Sequence, residues 1–490
     1  MFTISNIIGV NFSLFPFFTL VLFFFSLFSA KYFFTVICFK QTRRLMLLFF
    51  ISCCFLDSNL LVYLYNVQGD VHVFFGAFRV NFFLFFFKLL IEITALVILI
   101  LTYAYDLYFK LYAPEIVLLF LSVIFGAFSL VFANGFLSAY LALELQTIPL
   151  YVLASLFRLS KKSVESGLKY FILNVFSSSV FLYSSALIYY VSGVFNFGEL
   201  VIFLNLASGT VFKNSVNYFQ IYCFYTGLVG LCVSLFFKLS AAPFHFWTPE
   251  IYEGAPASIV FIFSTIPKLS VSVFLISLFT LTFFAFSSFW SIVFSFFGVI
   301  SIIIGMFGAF YYSKITKILA FGATAHVGYI LLALGSLSTS SIKIAVFYLV
   351  VYVVTSMLFF AVWLNVMFGK NMICNYVDDL VGFSKVSMVN TVLLSIAVFS
   401  FAGIPPFAGF IAKLFVIQGL SSVYFVNLAL LVLILSAVSA VYYLRFIKIM
   451  FFSPSSSIPV IFSLPTQCVL FVEFCLAGLV ILLALVFFFI

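Results

Sequence analysis

The chain has 490 residues, of which 66% are hydrophobic and only 7% charged, and its mean hydropathy is +1.34. That composition excludes a soluble globular protein and leaves a polytopic membrane protein built from transmembrane helices. The formal net charge of +9 marks the sides of a membrane, as shown below, and no nucleic-acid partner is read from it.

Fourteen apolar runs approach the roughly 20 residues a membrane span requires. In chain order they are 7–30, 45–66, 82–104, 115–134, 136–157, 167–192, 221–248, 256–281, 286–312, 315–335, 342–368, 387–420, 424–451 and 467–490. The N-terminal MFTISNIIGVNF lacks a basic n-region, and no Arg occurs before residue 43. The first span is therefore expected to be retained, not cleaved. The 77 Phe suit lipid contact and fit the T-rich codons of an organellar gene.

Two runs are too long for one straight helix. Residues 387–420 would extend about 50 Å against a hydrocarbon core of about 30 Å, and they contain GIPPFAGFIAK, with Lys413 at its end. Residues 221–248 contain Lys238 and Pro243. Both runs read as broken helices, whose unwound backbone must line a cavity or be covered by protein. They are the seventh and twelfth spans, five apart, so they run in opposite directions. Spans 4–8 and 9–13 then form an inverted repeat, and paired interrupted helices point to a transport path. No strong residue-level match between the halves is evident. The expected divisions are an N-terminal three-helix segment (1–110), a first repeat (111–283), a second repeat (284–452) and a C-terminal helix (453–490).

Polar residues inside these runs are costly and tend to mark ion or proton paths. Lys88 and Glu92 in the third span are four apart and read as a structural ion pair. Glu144, midway along the fifth span, needs a partner or a proton, and Lys238 is the natural candidate. Lys268 follows Pro267 in the eighth span. His326, in the tenth, reads equally as a proton relay or as an interhelical donor. His245, at the seventh-span break, reads equally as proton access or as a cap on unwound carbonyls. His72, Glu250, Glu253, Asp378 and Asp379 are placed in loops, while Asp57 and Glu473 receive no role. The cysteines are scattered, without a C-x-x-C, and neither a dinucleotide-binding glycine motif nor a P-loop occurs. No metal, iron–sulfur cluster, haem, flavin or NADH is therefore expected on this chain.

Of the 22 Lys and Arg, four lie inside spans (Lys88, Lys238, Lys268, Lys413). Arg79, Lys213 and Lys343 fall on one side. All the others, including those in loops 31–44, 158–166 and 370–385, fall on the opposite side. By the positive-inside rule that basic side is the matrix or cytoplasm, and both termini lie across the membrane from it.

The block FKLSAAPFHFWTPEIYEGAP with a following S-x-x-PK, together with LELQTIPLYVL, AHVGY and GIPPFAGFIAKLFV, resembles the chain-2 family of mitochondrial NADH:ubiquinone oxidoreductase, respiratory complex I. The resemblance covers roughly residues 135–450 and departs only mildly, at Ala242 and Ala257. The first hundred residues resemble the long, 14-helix form of bacteria and plants. Lys413 separates the chain from the chain-4 paralogue, which has glutamate there, and the lateral C-terminal helix of the chain-5 paralogue is not seen. The resemblance implies an all-α antiporter-like fold and a proton path through Glu144, Lys238, Lys268 and Lys413. It implies a multi-pass chain in the inner mitochondrial membrane, with termini on the intermembrane-space side. Implied partners are neighbouring antiporter-like and small helical membrane-arm subunits and membrane lipids including cardiolipin. NADH, FMN, iron–sulfur clusters and ubiquinone are implied in partner subunits, and proton pumping coupled to NADH oxidation in the whole enzyme. A subunit of a multisubunit Mrp-type cation/proton antiporter shares these features and is the alternative.

Overall fold

A computed structural model describes residues 35–66, 70–109, 114–157, 160–206, 218–368, 372–422, 425–453, 461–463 and 467–485. The expected span 7–30 lies outside the described residues; each of the other thirteen is matched by a helix or a broken pair of helices. In chain order the helices are α1 (Thr35–Asn66), α2 (Phe82–Tyr108), α3 (Pro114–Phe132), α4 (Phe136–Ala154), α5 (Lys161–Ser192), α6 (Phe197–Leu206), α7 (Tyr218–Leu239), α8 (Trp247–Gly254) and α9 (Ala257–Ser277). They continue with α10 (Ser287–Tyr311), α11 (Ile315–Gly335), α12 (Ser341–Asn365), α13 (Phe383–Val386), α14 (Met388–Ala402), α15 (Ala408–Ser421), α16 (Val426–Phe452) and α17 (Gln467–Leu485). Eleven of the described helical segments are long and apolar enough to cross a membrane, and α14, α15 and α17 are shorter apolar helices.

The ends of these helices follow local chemistry. The Ser160 hydroxyl accepts from the Ser163 amide at the start of α5, and Gly193 ends that helix in the left-handed region, with φ +70°. Such caps satisfy backbone groups that a helix end leaves open. The ten-residue α6 follows directly and was not expected from the sequence. A hairpin pairs Val71–Val73 (β1) with Phe78–Val80 (β2). His72 lies in β1, on a strand and not in a loop. In the second half of the chain, Val366–Phe368 (β3) pairs antiparallel with Met372–Ile373 (β4) and with Ile461–Ser463 (β5). This ties the connection after α12 to the one before α17.

The chain divides into two compact units. One comprises the described residues within 1–99, 106–239 and 266–286, and the other those within 100–105, 240–265 and 287–490. In the first unit α3 packs on α4 and α5 on α7. In the second, α10 and α11 form the most extensive helix pair, and α12 packs against α11, α14, α15 and α17.

Both long spans are broken, and in the same way. α7 ends at Leu239, Ser240 has φ +64°, and the Ala242–Pro243 bond is cis. α14 ends at Ala402, Gly403 has φ +76°, and the Pro405–Pro406 bond is cis. Ser240–Ala241–Ala242–Pro243–Phe244 therefore corresponds to Gly403–Ile404–Pro405–Pro406–Phe407.

Candidate functional site: buried lysines at broken helices

In the first unit, Lys238 occupies the last turn of α7 and is 7% exposed. Its Nζ has no hydrogen-bond partner, and neither has Oε1 of Glu144 on α4. Lys238 Nζ and Glu144 Oε1 are not hydrogen-bonded to each other. α4 is instead joined to the helix of Lys268. Gln146, two residues after Glu144, donates from Nε2 to the Ser270 hydroxyl at 2.9 Å, two residues after Lys268. Lys268 is 5% exposed and follows Pro267, which lies inside α9 and removes one helix amide from the ladder there. This polar bridge between residues 124 apart carries no signal in the sequence.

In the second unit, Lys413 lies on α15 and is 5% exposed. Its ammonium donates to the carbonyls of Ala402 at 2.8 Å and Phe401 at 3.1 Å, and to the Ser439 hydroxyl at 3.4 Å. The Tyr329 ring lies 5.4 Å from Nζ. The break leaves the last carbonyls of α14 without helical donors, and a cation there also meets the negative end of the helix dipole. Lys413 thus closes the C-terminus of one half-helix from the other. Glycine suits position 403: its φ is positive, and a Cβ would come within 2.7 Å of Lys413 Cδ, so the lysine side chain would have to shift.

The two histidines differ. His326 on α11 bonds Tyr348 Oη through Nδ1 at 2.8 Å and Tyr443 Oη through Nε2 at 3.4 Å, among the rings of Tyr352 and Phe401. A Tyr–His–Tyr chain of this kind holds the imidazole in place. His245 is buried between the rings of Phe246 and Phe321, and its Nδ1 has no hydrogen-bond partner. Lys238, Lys268 and Glu144 belong to the first unit, and Lys413, His326 and His245 to the second.

Several residues depart from their expected placement. Glu250 and Glu253 lie in α8, not in a loop. Glu253 pairs with Lys314 and, at 2.8 Å, with Lys317. Burial raises the pKa of this carboxyl, but the two lysines outweigh it and hold the group at about 2. Arg43, expected in a loop, is buried in α1, donating to the Leu99 carbonyl and to Asp106 at 2.8 Å. Glu473 on α17 is fully buried and accepts from Asn365 Nδ2 at 2.7 Å. Lys88 contacts Asp57 at 2.5 Å, closer than Glu92 at 3.5 Å. Among the described residues, no group of three His, Cys, Asp or Glu side chains is arranged to hold a metal ion.

A family model described as NADH:quinone oxidoreductase/Mrp antiporter, transmembrane, matches residues 133–439. The chain belongs to this family. It is 36% identical over 347 residues, 71% of each chain, to NADH-quinone oxidoreductase subunit N of Wolbachia sp. subsp. Brugia malayi (strain TRS). Its fold matches a chain of respiratory complex I from Thermus thermophilus (TM-score 0.76, 24% identity, 97% of both chains). It also matches a chain of the Mrp complex from Dietzia sp. DQ12-45-1b (TM-score 0.79, 16% identity, 97% of this chain and 95% of that one). The region matched by the antiporter family model contains Glu144, Lys238, His245, Lys268, His326 and Lys413. Asp57, Lys88, Glu92 and Glu473 fall outside it.

Proposed function

We propose that this chain is the chain-2 membrane-arm subunit of mitochondrial respiratory complex I and carries one of its proton-pumping channels. The observation that carries the proposal is the set of three buried lysines within residues 133–439, two of them at breaks in membrane helices. The identity with a subunit N protein supports the complex I assignment over a free-standing transporter. Lysines enclosed in a membrane protein are retained where they bind and release protons.

In this reading Glu144 and Lys238 form the loading point. Lost hydration disfavours a buried ammonium and a nearby carboxylate favours it, so changing the Glu144–Lys238 separation loads or unloads the lysine. Lys268 passes the proton along the axis and Lys413 lies near the exit, with His326 and His245 as relay groups. Two states of the chain must alternate for this to be a pump and not a leak. The repeats are residues 111–283 and 284–452, flanked by the segment 1–110 and the helix in 453–490. NADH, FMN, iron–sulfur clusters and ubiquinone belong to partner subunits, and both termini face the intermembrane space. Neighbouring membrane-arm subunits and lipids, cardiolipin included, surround the chain.

The second reading, an Mrp-type antiporter subunit, is favoured by the fold match to the Mrp complex. Purifying the native assembly through a tag on this chain separates the two. Complex I predicts NADH–quinone reductase activity in the tagged assembly. Cation/proton exchange without that activity would support the antiporter.

A further inference from the structure

A second buried cluster of charge lies in α1 and α2, outside residues 133–439. Lys88 on α2 contacts Asp57 of α1 at 2.5 Å and Glu92, one turn further along α2, at 3.5 Å. Asp57 and Glu92 are each 1% exposed, and Lys88 is 7% exposed. Neither oxygen of Glu92 accepts a hydrogen bond. The Phe85 and Phe128 rings lie 5.1 and 5.7 Å from the ammonium. The other titratable groups facing the cluster are the thiols of Cys53 and Cys54 on α1. α3, which packs on α1, presents Phe128; its one titratable residue, Glu115, is exposed. The next ionic groups on α1 and α2, Arg43 and Asp106, are bonded to each other.

Charge counting decides the protonation. Two carboxylates and one ammonium, all ionised, would leave one net negative charge enclosed in the membrane. Carboxyls that share a site cannot both ionise cheaply, and an enclosed charge without a partner is strongly disfavoured. One added proton makes the cluster neutral. We propose that Asp57, Lys88 and Glu92 form a proton-binding site in which the two carboxyls share one exchangeable proton beside the Lys88 ammonium. The proton leaves one carboxyl oxygen and binds the other as the ammonium turns from the second carboxylate to the first, so charge is conserved at each position. The ligand is the proton itself, and the inference stands apart from the complex I assignment.

Infrared difference spectra of the purified native assembly, wild type minus Glu92→Gln and wild type minus Asp57→Asn at neutral pH, test this. Each substitution should remove one carboxylic-acid C=O band, because the remaining carboxyl ionises against Lys88. The lost band should shift in D2O. Loss of a carboxylate band instead, with no acid band lost, would overturn the proposal, as would an acid band insensitive to D2O. Glu92→Gln should accumulate near the wild-type level, since it introduces no charge imbalance; failure to accumulate would count against a neutral cluster.

Discussion

Replacing Gly403 with alanine probes the break between α14 and α15. The φ of +76° at this position costs a non-glycine residue about 1–2 kcal/mol. The new Cβ would also fall 2.7 Å from Lys413 Cδ and 3.1 Å from Nζ, closer than carbon packing allows. The flexible lysine side chain must shift to make room, and each charge-assisted bond to the Phe401 or Ala402 carbonyl lost in that shift is worth about 1.5–3 kcal/mol. Strain with one such bond lost comes to roughly 2.5–5 kcal/mol, and with both lost to roughly 4–8 kcal/mol. Gly193→Ala is the control: its φ is +70° but nothing lies within 4 Å, so it carries strain alone. Asparagine tolerates the left-handed region yet still carries a Cβ, so Gly403→Asn should relieve the strain without restoring the lysine. The assay is proton uptake per NADH oxidised by vesicles containing the assembly, with assembled protein quantified beside it. Gly403→Ala and Gly403→Asn should both pump weakly, while Gly193→Ala should pump normally. If Gly403→Ala pumped as well as Gly193→Ala, the Lys413 cap would not matter to proton transfer.

The remaining predictions follow from single contacts. Glu253 is held at about 2 in the fold against an ordinary 4.5. Its contribution to stability is therefore full above about pH 4.5 and is lost as pH falls through about 2; acid-unfolding curves of Glu253→Gln should lack this part of the transition. Arg43→Ala leaves Asp106 enclosed without its cation, at a cost of about 3–5 kcal/mol; assembled protein on native gels should fall sharply, with rescue by Asp106→Asn in the double variant. Tyr348→Phe removes the 2.8 Å partner of His326 and should cost about 1–3 kcal/mol in heat resistance; Tyr443→Phe, at 3.4 Å, should cost less, and equal losses would contradict the geometry.

The spans were legible because enclosed helices in lipid need long apolar runs, and the two breaks because Pro243 and Gly403–Pro406 stand inside runs too long to be straight. The Lys88–Glu92 contact was legible as an i,i+4 pair. Asp57 was not, because its partner lies 31 residues away with no periodic relation, and Arg43–Asp106, 63 apart, is the same case. The carbonyl ligands of Lys413 were hidden for another reason: main-chain acceptors have no residue type, so only the observed end of α14 reveals them. Glu144 and Lys238 were matched as opposite charges in one expected repeat, which says nothing about distance. In the structure Lys238 Nζ and Glu144 Oε1 are not hydrogen-bonded to each other. α6 was missed because ten residues fall below the length of a span, and Glu253 because α8 lies across a proline-rich stretch that reads as loop.

The ratio of protons taken up per NADH oxidised, in vesicles containing the native assembly, bears most directly on the proposal that the buried lysines of this chain carry protons. Lys238→Ala should lower that ratio while the assembly stays intact. Glu144→Gln should lower it too, and the double variant should be little worse than either alone, because acid and base act as one loading point. An unchanged ratio in fully assembled Lys238→Ala would contradict the account.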